Sequence, residues 1–209
     1  VASFEKLDIY PLGQPDGKPD FLPTGRAYLG HSLGGIIGGL LSGLRPETTM
    51  VIAASGGRFE DLMGGILGNV LPKGNESLIL QTTTVIQQFL DRADPINSLA
   101  WSQRENPTLW EKRQILMQQA VNDETMPAAA TWSMARVFSL PQIAPILQAV
   151  NGLDPNATPQ RGLTQFADAL HNYILDEEYS PFTLQAQAQS AHFLVSALKH
   201  GKAEVKATP

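Results

Sequence analysis

The segment Gly30-His31-Ser32-Leu33-Gly34-Gly35 carries a serine in the spacing G-x-S-x-G. An apolar run ends at Gly30, and a helical stretch of small and aliphatic residues follows. That context predicts a sharp strand-to-helix turn that lifts the serine hydroxyl above the edge of a sheet, where it can act as a nucleophile in acyl transfer. The glycines on either side are expected to be required, because a side chain there would collide with the neighbouring strand and helix. At the helix N-terminus the amide of Leu33 is free to donate to an oxyanion.

A serine nucleophile needs a base, and the base needs an orienting carboxylate. In the α/β-hydrolases, whose nucleophile turn this one resembles, an aspartate or glutamate and then the histidine follow the serine along the chain, each in a loop after a strand. Asp123 lies just past the apolar run 115–120, in Val121-Asn122-Asp123-Glu124-Thr125-Met126-Pro127, and His171 lies shortly past the run 162–166. Both the order and the preceding elements fit. Glu124 is the main substitute for Asp123, whereas Asp168 sits three residues from His171 and follows the wrong strand. His31 is inside the turn, where packing or lining the site is expected of it. His192 and His200 fall in or at the end of the last helix. Asp16 and Asp20, in a stretch rich in proline and glycine, read as a solvated turn rather than a calcium loop, which needs more carboxylates.

The elements that must hold these residues alternate between strand and helix. Strands are expected at 26–29, 48–54, 115–120 and 162–166, and helices at 33–44, 128–138 and 183–200, with a shorter helix or turn at 141–150. Such alternation predicts an α/β fold with a largely parallel sheet. Between 58 and 112 strand signals are scarce. Phe59, Leu62, Met63, Ile66, Leu67 and Val70 recur at helical spacing there, and so do Leu78, Val85, Ile86, Phe89 and Leu90. This region is expected to be a helical cap inserted into one domain, 1–209.

Composition bounds the rest. The 209 residues are 43% hydrophobic and 17% charged, which predicts a packed core. A net charge of −5 without a basic block argues against nucleic acid as the main partner. The absence of cysteine excludes disulfides, thiolate metal sites and cysteine nucleophiles. No stretch reaches the roughly 18–20 apolar residues of a membrane span.

At these residues the chain resembles the α/β-hydrolase superfamily and, more narrowly, the extracellular bacterial lipases and esterases of the virulence-factor lipase type. The narrower resemblance rests on the loop Asp16-Gly17-Lys18-Pro19-Asp20 leading into the turn at Ser32, and on Asp123 followed by Pro127. It implies Ser32 as nucleophile, Asp123 as acid, His171 as base and the Leu33 amide as half of an oxyanion hole. No metal or organic cofactor is implied. The implied substrate is a small-molecule or lipid carboxylic ester, with His31, Leu62, Met63 and Ile66 lining its pocket, and the implied location is secreted, periplasmic or cell-surface. Thioesters, amides and polyesters suit the same triad, and a catalytically silent binding module is the alternative from another class. In that superfamily four strands normally precede the nucleophile strand, yet 31 residues precede Ser32 here. The chain is therefore expected to be the C-terminal part of such a domain, with a separate N-terminal segment of the same protein completing the sheet.

Overall fold

The structure, a computed structural model, describes residues 25–153, 160–176 and 181–207. The Asp16 to Asp20 loop therefore lies outside the described residues. Strand β1 (Ala27–His31) leads through Ser32 into α1 (Leu33–Leu44), and β2 (Thr49–Ala53) follows. Four helices then intervene: α2 (Phe59–Val70), α3 (Glu76–Leu90), α4 (Pro95–Glu105) and α5 (Pro107–Glu111). Strand β3 (Ile115–Ala120), α6 (Ala128–Val137), β4 (Arg161–Phe166) and α7 (Pro181–His200) complete the order. The strands form one sheet in the order β1-β2-β3-β4, and every pairing is parallel. The expected parallel sheet flanked by helices is present.

Strands β2, β3 and β4 are buried at every position, as a parallel sheet covered on both faces requires. Side chains alternate between the faces. Met50, Ile52, Ile115, Met117 and Leu163 join Leu99, Trp110, Met134 and Phe138 in one core, so α4, α5 and α6 cover that face. Val51 and Leu116 pack against Phe193 and Ala197 of α7 on the other. Polar residues on that second face are paired: Gln118 Nε2 and Thr164 Oγ1 both donate to Gln189 Oε1 of α7, at 2.8 and 2.9 Å.

One expected element takes another form. Residues 141–150 are neither helix nor simple turn: Leu163 donates to the Pro141 carbonyl and Ile143 donates to that of Leu163, so the segment bridges the outer edge of β4. Pro141 and Pro145 lack the amides a helix would need.

Two buried charges organise the helices between β2 and β3. The Asp94 carboxylate, 1% exposed, caps α4 by accepting from the Ile96 amide and also accepts from the amides of Arg58 and Phe59 and from Gln87 Nε2, all within 3.0 Å. It thereby holds Arg58 in a left-handed conformation (φ 64°) at the start of α2. Arg113, equally buried, lies 4.1 Å over the Trp110 ring and donates to the Ser42 carbonyl and Ser102 Oγ, joining the end of α1 to α4. Burial, and secondarily the nearby Arg161, lowers its pKa to about 10. Among the described residues it has no carboxylate partner. No helix among the described residues is long and apolar enough to cross a membrane.

Asp94→Ala strands three backbone amides at once and takes one of two acceptors from Gln87 Nε2, and is expected to cost about 2–3 kcal/mol, read as a lowered midpoint in urea unfolding. Asp94→Asn, which keeps one acceptor oxygen, should lose less.

Candidate active site

Ser32 occupies the turn between β1 and α1 with φ 53° and ψ −119°. A serine pays for that left-handed backbone in strain, and the surroundings must hold it there. They do so through the backbone: the Ser32 amide donates to the Ala53 carbonyl at 3.0 Å, and its carbonyl accepts from the amides of Gly35 and Ile36. The Tyr28 hydroxyl, its pKa raised by burial, donates to the Gly34 carbonyl and braces the first turn of α1.

Of the two glycines expected to be required, one is. A Cβ at Gly30 would lie 2.4 Å from the Gly34 carbonyl oxygen, whereas a Cβ at Gly34 would find nothing nearer than 3.9 Å. The second tight position is the next one, Gly35, whose Cβ would come within 2.3 Å of Ser55 Cβ. The motif is thus one residue wider in its steric demand than its G-x-S-x-G spelling.

Asp123 and His171 stand in the loops beyond β3 and β4, at the same sheet edge as Ser32, because parallel strands all end there. Asp123 Oδ1 accepts from the amides of Thr125 and Met126 at 2.8 and 2.7 Å, which fixes the carboxylate before it meets any other group. Both of its oxygens lie 2.9 Å from His171 Nδ1. The carboxylate only accepts, so Nδ1 carries the hydrogen and Nε2 presents its lone pair. Nε2 is 2.8 Å from Ser32 Oγ. Three side chains from sequence positions 32, 123 and 171 thus form one hydrogen-bonded series. The Asp123 side chain is 4% exposed and that of His171 15%, so the carboxylate is withdrawn from water while the imidazole remains reachable. Such a series can take the serine proton and stabilise the resulting imidazolium.

Other candidates fall elsewhere. Glu124 and Asp168 are exposed and form no hydrogen bond with this series, although both line the cavity beside His171. His192 is near Glu204, and His200 is exposed at the end of α7. Among the described residues the amides of Leu33 and Gly34 have no acceptor, which leaves both at the N-terminus of α1 free to meet an anion. Leu62 packs with Phe59 on Ile36, Met126 and Ala130, just behind the Asp123 turn. A cavity of about 780 Å³ adjoins His171, lined in part by Thr125, Leu170, Leu175 and Phe182. Leu62, Met63 and Ile66 are not part of its lining. His31 does not line it either; its ring turns toward the His171 loop.

Some supporting residues gave no signal in the sequence. Tyr173 is buried against Phe166, with ring centroids 5.3 Å apart. Burial, and secondarily the negative Asp123, keep its hydroxyl protonated well above the ordinary range. Thr183 Oγ1 donates to the Tyr173 carbonyl at 2.6 Å and Gln187 Nε2 to that of Ile174 at 3.0 Å, so the start of α7 holds the segment just after His171. Side chain to carbonyl bonds across a loop leave no spacing pattern to read. No group of three or more histidine, cysteine, aspartate or glutamate side chains able to hold a metal ion occurs among the described residues.

No family model and no curated protein matches the chain. Among solved structures it is similar to a putative lipase from Acinetobacter baumannii, at 18% identity and a TM-score of 0.37 over 79% of this chain and 62% of that one. It is also similar to a putative non-heme bromoperoxidase from Mycobacterium tuberculosis, at 14% and 0.39 over 83% and 67%. A meta-cleavage product hydrolase from Pseudomonas fluorescens is similar at 13% and 0.37 over 78% and 64%. The chain thus spans 62–67% of the length of these structures.

Asp123→Asn keeps an oxygen for the Thr125 and Met126 amides while removing the charge and the Nδ1–H acceptor geometry. It is expected to slow covalent modification of Ser32 by a fluorophosphonate by about 10²- to 10⁴-fold, measured by intact-protein mass spectrometry against time, with little change in thermal stability.

Proposed function

We propose that this chain is the catalytic part of an α/β-hydrolase that cleaves carboxylic esters, as a lipase or carboxylesterase, through a Ser-His-Asp triad and an acyl-enzyme. The observation that carries the reading is the 2.8 Å approach of Ser32 Oγ to His171 Nε2, with the imidazole already oriented by Asp123 on its other nitrogen. In the proposed reaction His171 takes the Ser32 proton as Oγ attacks the ester carbonyl. Asp123 holds the tautomer and stabilises the imidazolium. The developing oxyanion is met by the Leu33 amide at the N-terminus of α1. His171 then returns the proton to the departing alcohol, and water, activated by the same imidazole, releases the acid.

A substrate with an apolar portion is favoured by the space beside His171, where Leu170 and Leu175 are both more than half exposed. Secretion or a surface location belongs to the same proposal and comes from the sequence resemblance alone.

The proposal includes a separate N-terminal segment that completes the sheet beside β1. Two observations support it. Among the described residues β1 is paired only with β2, and Leu29 is 45% exposed. Leu33, Ile37 and Leu44 form an exposed apolar stripe along α1. An open edge beside an apolar stripe is a liability that an added strand would remove.

Intact-protein mass spectrometry with a fluorophosphonate, alongside turnover of p-nitrophenyl esters, tests the reading. One adduct per chain is expected, absent in Ser32→Ala, with ester turnover in that variant falling to the uncatalysed rate. A second polypeptide retained with the chain is expected in the same spectrum. No adduct and turnover indifferent to Ser32→Ala would instead favour a silent hydrolase-fold binding module.

A further inference from the structure

We infer that His31 is a positioning residue for the general base, an assignment that rests on the triad reading above. His31 Nε2 lies 2.8 Å from the backbone carbonyl oxygen of His171. A carbonyl oxygen can only accept, so the hydrogen sits on His31 Nε2 and the tautomer is set. The two imidazole rings are 5.0 Å apart and inclined at 54°. The last residue of β1 and the turn residue after it therefore grip the same histidine at two points. Ser32 meets its ring nitrogen, and His31 meets its main chain.

The second grip matters because of where His171 comes from. Its loop follows β4, and two strands stand between β4 and β1. At about 4.8 Å per strand, base and nucleophile start roughly 14 Å apart at the level of the sheet. The sheet ladder cannot bring them together, so the loop must cross the strand ends. On its far side it is fastened by Asn122 Nδ2 to the Ala167 carbonyl and by Thr183 and Gln187 to the carbonyls of Tyr173 and Ile174. Toward the nucleophile, the His31 bond holds the loop's main chain. His31 itself is anchored, since it is the last residue of β1 and stands in register with Ala53 of β2.

Fixing the carbonyl of His171 fixes the peptide plane beyond its Cα and limits the angles at which its side chain leaves the loop. A displacement of about 1 Å between reacting groups can cost on the order of 100-fold in rate, so a bond that removes this freedom acts on kcat. His31 touches neither the serine oxygen nor, by the cavity lining, the substrate space. It works through His171.

Nitrogen-15 NMR of the wild-type protein reads the tautomer of His31 without any substitution. The Nε2–H form at neutral pH is expected, and an Nδ1–H form would overturn the assignment. The near-isosteric pair His31→Gln and His31→Met then separates hydrogen bonding from packing, since only the amide can donate to the carbonyl. His31→Met is expected to lower kcat on a p-nitrophenyl ester by about tenfold or more with KM within about twofold, and His31→Gln to recover most of it. In the same variants the downfield proton of the His171–Asp123 bond should exchange faster with water in His31→Met and be protected again in His31→Gln. Equal behaviour of the two variants, in rate and in proton protection, would sink the proposal. Should the wild type turn over no ester, the hydrolase reading fails, while the tautomer and the proton protection still decide the role of His31.

Discussion

Every strand of the sheet points the same way, and the site depends on that constraint. Parallel pairing in the order β1-β2-β3-β4 makes the strands end at one edge, so the turn after β1 and the loops after β3 and β4 share a neighbourhood although the chain separates them by scores of residues. Ligand sites in open parallel sheets belong at that edge for the same reason. The sheet alone brings the loops near one another. The last few ångströms are closed by polar contacts with fixed direction: two amides on Asp123, two carbonyls held by α7, and one carbonyl held by His31.

The helices between β2 and β3 serve the same end indirectly. Leu99 of α4 and Trp110 of α5 lie in the core beneath the sheet, so these two helices are part of the body that supports α1. Asp94 ties α2 and α3 to the start of α4, and Arg113 ties α4 to the end of α1. Neither charge rests on an opposite charge among the described residues. Asp94 is met by three backbone amides and a side-chain amide, whereas Arg113 is held, among those residues, through Nη2 and the Trp110 ring alone, and these contacts need close geometry and so specify how the helices sit.

The fold and the three side chains of the hydrogen-bonded series were legible because each depends on a strong local pattern. Apolar runs at 115–120 and 162–166 marked the strands, G-x-S-x-G marked the turn, and chain order selected Asp123 and His171 over Glu124 and Asp168. What stayed hidden depends on contacts distant in sequence. That Gly35 rather than Gly34 is the crowded position follows from Ser55, on a different strand end. That 141–150 lies along β4 follows from carbonyls and amides, which every residue type supplies. His31 reads from sequence as a residue facing the site; its actual partner, a carbonyl 140 positions away, has no side-chain signature at all.

The hydrogen-bonded series also has a consequence in time. Ser32 precedes His171 by well over a hundred residues, and the loop that carries His171 is steadied by α7, which follows it. Contacts of such long sequence separation form late in folding, and synthesis delivers the N-terminal elements first. Until α7 has docked, the loop that carries His171 lacks two of its fastenings, so the series from Ser32 to Asp123 is complete only once that helix is in place.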